Sequence, residues 1–413
     1  MRYRDRNSLD DFSHDVALVV DFIGEKEYRQ ALEKIGTDLN LKGFVTPFDD
    51  ALFAAELDLL NLEILRTQCS GRFKLLPGPC HAGVDFLLGL GQTIPSLSDA
   101  GKTILLGRIK KGLDEGLWPL RHELGVAANL SKRGWDIQFH DFEKGGGFDF
   151  LVSKDRMTYE VEAKAISAFT GWPIKPENLN KLLVEVKQHF VWKDSNVIPV
   201  IGATLSSSLS PNRQELQRLV SAFSTVARTK TEFALPEARM RFIGTVPNMT
   251  PDKLMLAGYA HAAMRKTTVL VNPNQPKLVL ELDSNKPIQI GRKLIQTINE
   301  SARKQFSRSH PAVMWTHVCF ISEDVFLGLG AQRNGRASFL DSVANGTLTS
   351  EKRNHLSQLV FSGGSFLHKT DSVARSSYRA IVYNSPICRY GKSTIFEGGR
   401  THSDHKATAA KAG

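Results

Sequence analysis

The sequence predicts an α/β protein. Its clearest part is an αβββαβ core with a mixed sheet, flanked by N-terminal and C-terminal α+β regions. Three observations predict it. Residues 111–206 alternate between runs with helical spacing of apolar residues and runs with period-two alternation. The polar breaks EKGGG (143–147) and SKDR (153–156) separate three strand-like runs. At 413 residues the chain has room for two or three domains.

The elements follow in chain order. VALVVDFIG near the N-terminus is expected as a buried strand, and 47–67 as an amphipathic helix. The stretch 70–100 is rich in Gly, Pro and Ser and is expected as loop with short elements. TILLGRIKKGL (103–113) is expected as a helix with Asp99 or Thr103 near its cap. PLRHELGVAANLSKRG (119–134) is a helix ending near Gly134. WDIQFHDF (135–142), FDFLV (148–152) and MTYEVEAKAI (157–166) are the three strands, the last two closed by a hairpin turn at 153–156. A helix at 176–193 and a buried strand at 196–205 complete the core. The Ser/Pro run SSSLSP (206–211) is expected as a linker. The expected divisions are thus 1–110, 111–206, 207–400 and a mobile tail at 401–413. Within 207–400, helices are expected near 212–228 and 291–304, and strands near 241–246, 267–271, 277–282 and 313–321.

Composition narrows the function classes. The net charge is +10 and the sequence pI about 9.3. Residues 301–413 hold fifteen Lys/Arg against seven Asp/Glu, so most of the excess lies there. An anionic partner is expected, nucleic acid before an acidic surface. Arg303, Lys304 and Arg308 form the clearest basic cluster and are the expected nucleic-acid contacts. The four cysteines have no CxxC pair, which argues against a disulfide framework or a cysteine zinc site. No apolar run approaches a membrane span and the N-terminus lacks a signal-peptide core, so a soluble, cytoplasmic protein is expected.

One stretch carries chemistry. In YEVEAKAIS (159–167), Glu160, Glu162 and Lys164 occupy alternate positions and so share one face of a strand. A hairpin closed by 152 and 157, or looped at Lys154-Asp155, would pair 149 with 160 and put Asp149 on that face. Paired side chains then lie about 5 Å apart and diagonal ones about 7–8 Å. Three carboxylates repel one another unless a cation sits among them. Lys164 offsets one charge, and a hard divalent ion such as Mg²⁺ or Mn²⁺ suits the remaining oxygen ligands. Glu123 lies three after Leu120 and four before Ala127, beside the apolar stripe of its helix, where an acid needs a partner.

This block resembles the PD-(D/E)XK nuclease superfamily, which has the restriction-endonuclease-like fold. The motif is Asp149, twelve intervening residues, then Glu162-Ala163-Lys164, with Glu123 on the preceding helix. Phe148 stands where the motif has proline. The resemblance implies that Asp149 and Glu162 bind Mg²⁺ or Mn²⁺, that Lys164 orients or activates water and that Glu123 assists. Glu160 and Gln188 are accessory candidates. Gln188 is followed four residues later by Trp192, where one branch of the superfamily has Gln followed by Tyr. The implied activity is Mg²⁺-dependent DNA endonuclease activity, in defence or mobile-DNA processing, by a homodimer. The competing reading is a non-catalytic nucleic-acid-binding or assembly protein that retains the fold, and a third is a nuclease acting on RNA.

Other motifs carry less. SLSDAGKT (96–103) has Ser96 where a phosphate-binding loop needs glycine. FLGLGAQRNGRAS (326–338) lacks a dinucleotide fingerprint and is expected as turns. HSDH (402–405) and Cys80-His81 have no identifiable supporting residues.

Overall fold

In a computed structural model, the chain is a mixed α/β protein with two mixed sheets. The structure describes residues 9–31, 44–46, 89–115, 117–167, 173–192, 196–247, 267–271, 278–286, 290–319, 323–332, 337–363, 368–370, 373–375, 379–391 and 394–397, with Glu33, Phe86 and Asp194 besides. The helix expected at 47–67, Cys80-His81 and the tail with HSDH lie outside the described residues.

The elements in chain order are α1 (Leu9–Ile23), β1 (Phe44–Thr46), α2 (Asp99–Glu115), α3 (Trp118–Lys132), β2 (Asp136–Phe139), α4 (His140–Lys144), β3 (Phe150–Lys154), β4 (Met157–Ser167), α5 (Pro176–His189) and β5 (Val197–Leu205). There follow α6 (Arg213–Thr229), β6 (Phe233–Ala234), β7 (Ala238–Pro247), β8 (Thr267–Val271), β9 (Leu278–Ser284), α7 (Ile290–Lys304), β10 (Ala312–Cys319), α8 (Glu323–Gly330) and α9 (Phe339–Leu348). The last are β11 (Leu356–Gly363), the short pair β12 (His368–Thr370) and β13 (Val373–Arg375), and β14 (Arg379–Asn384). Among the described residues no helix is long and apolar enough to cross a membrane.

Two compact units divide the chain. The first joins Met1–Leu32, Phe53–Ala168 and Gly291–Gly413; the second joins Glu33–Leu52 and Phe169–Ile290. In sequence, therefore, most of the second unit is inserted between β4 and α7. This differs from the expected divisions near 110 and 206. The Ser/Pro run at 206–211 is a loop inside the second unit rather than a boundary. Its Leu209 is buried and donates its N–H to the Pro173 carbonyl, and Asn212 just after it caps α6 through the N–H groups of Gln214 and Glu215.

The sheet of the first unit runs β14-β11-β10-β4-β3-β2. β2, β3 and β4 are antiparallel, β10 is parallel to both β4 and β11, and β14 closes the edge antiparallel to β11. All eight residues of β10 and all eight of β11 are buried, as befits parallel strands covered on both faces. The helix and strand expected to complete the core at 176–193 and 196–205 are α5 and β5, and they belong to the second unit. The strand beside β4 is β10, with Glu162 opposite Met314 and Lys164 opposite Thr316. An apolar run announces a buried strand but not the sheet it joins, so β5 and β10 look alike in sequence.

The second unit carries the sheet β1-β8-β9-β5-β7-β6. Helix α6 buries Leu216, Leu219, Val220, Phe223 and Val226 on one face. Glu185 of α5 is held by Arg213 at 2.9 Å and Gln217 at 3.0 Å of α6.

Further local outcomes differ from expectation. VALVVDFIG is the end of helix α1, not a strand: Val16, Val19, Val20 and Ile23 are buried at helical spacing, and that periodicity outweighs the strand preference of valine. FLGLG (326–330) is the end of helix α8 rather than a turn. The SLSDAGKT stretch opens α2. Ser98 Oγ accepts the Gly101 N–H at 3.1 Å, and Glu143 in turn accepts the Ser98 N–H at 2.9 Å.

Candidate metal centre

The site is assembled at the start of β3 and the middle of β4. The hairpin turn joining them is Asp155-Arg156, both residues with positive φ (49° and 69°), the pattern of a tight two-residue turn. Phe150 pairs with Val161 and Lys154 with Met157, so the turn lies one residue further along than expected and each β3 residue meets a partner two residues further along β4. The parity is unchanged, so Asp149 still shares the face of Glu160, Glu162 and Lys164. Continuing the register one step puts Asp149 opposite Glu162 instead of Glu160. Asp149 Oδ2 accepts the Ala163 N–H at 2.6 Å, and the Asp149 N–H reaches the Val161 carbonyl at 3.1 Å.

Three helices bring further groups. Helix α3 buries Leu120, Leu124, Ala127 and Leu130, and Glu123 beside that stripe is only 1% exposed. Helix α2 buries Leu105 and Ile109, and Arg108 next to Ile109 reaches Glu123 with Nη2–Oε2 at 2.6 Å and Nη1–Oε1 at 3.3 Å. Helix α4 supplies Asp141, whose Oδ2 accepts from Arg108 Nη1 at 2.8 Å. The main-chain carbonyl of Asp149 accepts the N–H groups of His140 (2.8 Å) and Asp141 (3.2 Å), tying α4 to the start of β3. Gly145 ends α4 at φ 69°, a left-handed cap that glycine takes without strain.

Glu162 is fully buried. Its Oε1 touches the Lys164 ammonium, while its Oε2 has no hydrogen-bond partner among the described residues. Such an oxygen is costly unless something cationic reaches it. Carboxylate oxygens of Glu123, Asp141 and Asp149 lie within 4.8 Å of one another.

The electrostatics follow from burial. Glu123 is pushed up to about 8, first by burial and next by the Asp149 carboxylate, against the pull of Arg108. Asp149 is pushed up to about 6 by burial, opposed by the Lys164 ammonium and the Ala163 N–H. Glu162 is raised well above its ordinary value by burial and by Asp149. Burial alone would lower Lys164, but Glu162 and Asp149 outweigh it and hold the ammonium protonated. The four acids face two cationic side chains, Arg108 and Lys164. With all four acids ionised the imbalance is two charges, the charge of one divalent cation. The donor set is all oxygen and carries an unpartnered buried carboxylate atom, which fits a hard ion.

The first unit thus brings together four expected residues: Glu123, Asp149, Glu162 and Lys164. Glu160 has a different role. Fully buried, it accepts the Ser307 N–H (2.8 Å), the Ser309 N–H (3.2 Å) and the His310 N–H (3.3 Å), as well as the Ser307 hydroxyl, so it shapes the loop after α7 rather than joining the carboxylate cluster. Gln188 is exposed on α5 in the second unit and is not among the residues the first unit assembles. Arg303 and Lys304 are exposed at the end of α7. Arg308 is exposed in the following loop at φ 66°, its carbonyl accepting from the Tyr390 hydroxyl at 2.6 Å and from Arg389.

Sequence reasoning missed Arg108 and Asp141. Arg108 was readable as a cation flanking the Leu105/Ile109 stripe of an expected helix. Asp141 was hidden because WDIQFHDF reads as one strand, whereas β2 ends at Phe139 and HDFEK forms a helical turn capped by Gly145. Behind α3, His122 stacks on His317 with ring centroids 5.2 Å apart, and its Nε2 lies 3.3 Å from the Trp315 carbonyl. Burial lowers His122 to about 4, so this pair is neutral packing beneath the site. No protein-family model, curated protein or solved structure matches this chain.

Proposed function

We propose that the first unit is a metal-dependent phosphodiesterase of the restriction-endonuclease-like class, acting as a DNA endonuclease. The observation that carries this reading is the buried, unpartnered Oε2 of Glu162, beside Asp149 and Lys164 on one strand face. The order α3-β2-α4-β3-β4, with α4 a short turn between strands, followed after an insertion by α7 and a β10 parallel to β4, supports the αβββαβ class.

Asp149 and Glu162 would hold Mg²⁺ or Mn²⁺. When bound, the ion supplies Lewis acidity toward a phosphate oxygen and lowers the pKa of a water. The side chains do the rest. Asp149 is oriented by the Ala163 N–H, so its position does not depend on a ligand. Lys164 keeps its proton and presents a half-buried ammonium to an attacking oxygen or to charge growing on the phosphate. Glu123 is fixed by Arg108 beside Asp149. Arg303, Lys304 and Arg308 are proposed to hold the polyanion.

The test is cleavage of supercoiled, linear and single-stranded DNA and of matched RNA under Mg²⁺ or Mn²⁺, by the wild type and by Glu162→Gln. The reading expects metal-dependent DNA cleavage that falls by at least ~100-fold in the variant, while DNA affinity is kept. Salt-sensitive DNA binding without cleavage of any substrate would leave a non-catalytic binding protein; cleavage confined to RNA would replace the substrate.

A further inference from the structure

We infer that Arg108 stands in for a second divalent cation, and so holds the centre to a single metal. The inference rests on the proposed metal-binding reading of Asp149 and Glu162. Carboxylate oxygens of Glu123, Asp141 and Asp149 approach one another within 4.8 Å, a spacing that would suit a cation shared among them. In this chain a guanidinium has taken that role. Arg108 forks onto Glu123 at 2.6 and 3.3 Å and reaches Asp141 at 2.8 Å.

The surroundings are shaped for an arginine. Its Cζ lies 5.1 Å from the centroid of the Phe142 ring, which is fully buried and offers a π-face to a flat cation. Phe142 follows Asp141 in α4, so the same helical turn supplies both an acid and a ring. The guanidinium is also covalently tethered to α2, so it reaches its place at no cost in ligand concentration. Charge balance points the same way. With all four acids ionised, Arg108 and Lys164 leave them two positive charges short; without Arg108 they are three short, and one divalent ion no longer suffices. The unpartnered Glu162 oxygen then marks the single place left for a metal, on the Lys164 side of the cluster.

The test counts bound Mn²⁺ on the full-length protein, by titration calorimetry and by the electron paramagnetic resonance signal of the free ion. Wild type is expected to bind one equivalent tightly. Arg108→Gln should bind two, Arg108→Lys should stay at one, and the double variant Arg108→Gln/Asp141→Asn should return to one. Asp141→Asn alone, a change at a partly exposed residue, should keep the single equivalent and serves if Arg108→Gln does not fold. A folded Arg108→Gln protein that binds one ion or none, or a folded Asp141→Asn protein that loses its ion, would overturn the inference. If wild type binds one equivalent and Arg108→Gln also binds one, the metal reading of Asp149 and Glu162 survives and only the role of Arg108 falls. If neither binds Mn²⁺, both fall.

Discussion

Asp149 Oδ2 takes the main-chain N–H of Ala163, the residue after Glu162, at 2.6 Å. The carboxylate thereby replaces a ladder partner and is locked beside Glu162. Asp149→Ala would leave that buried N–H unsatisfied and should cost about 1–3 kcal/mol of stability. Asp149→Asn keeps an acceptor and removes a buried charge. It should melt at or above the wild-type temperature without metal, yet lose Mn²⁺ affinity by ~10-fold or more. Thermal melts and Mn²⁺ titrations of the two variants check this together.

The raised carboxyl groups set a pH dependence. Asp149 is held up to about 6 and Glu123 up to about 8, both chiefly by burial. In the folded chain they bind protons more tightly than in the unfolded chain, where such groups titrate near ~4. The stability they contribute is therefore complete below the unfolded values and is lost as pH rises through 6 and then 8. Melting temperature in chelator should fall between these points. Added Mn²⁺ should raise it more at the upper pH than at the lower, because fewer protons must be displaced. A melting curve in chelator that is flat across this window would contradict the assignment.

Glu160 separates structure from chemistry. Three main-chain N–H groups of the loop 307–310 end on its buried carboxylate. Glu160→Ala should destabilise the protein by roughly 1–3 kcal/mol, because several donors of the loop lose their shared acceptor at once. Denaturant unfolding measures the loss. The number of Mn²⁺ ions bound should not change, and a lost ion would return Glu160 to the metal centre.

The basic cluster has its own signature. Replacing Arg303, Lys304 and Arg308 by alanine should weaken DNA binding without regard to sequence. The slope of log affinity against log salt should shrink by about 0.9 for each phosphate contact removed. Turnover at saturating DNA should hold, since none of the three belongs to the carboxylate cluster. An unchanged slope would place the polyanion elsewhere.

Much of the centre was legible in sequence because its logic is local. Period-two spacing placed Glu162 and Lys164 on one face, and hairpin parity brought Asp149 to it even with the turn one residue off. Glu123 was legible from its place on a helical stripe. The long-range partners were not. β4 meets β10 across about 150 residues of chain, with Glu162 opposite Met314, and an insertion carrying its own buried strand, β5, presented an equally apolar candidate. Arg108 and Asp141 escaped for a related reason. Each sits on a short or mixed element whose polar residue gains its meaning only when α2, α3 and α4 meet.

The most direct measurement is anomalous scattering from a crystal of the protein soaked in Mn²⁺. The account expects one strong peak within bonding distance of both Asp149 and Glu162, and none among Glu123, Asp141 and Arg108. Density with Mn²⁺ in excess that shows no ion at Asp149 and Glu162, or carboxylates turned apart into solvent, would contradict it.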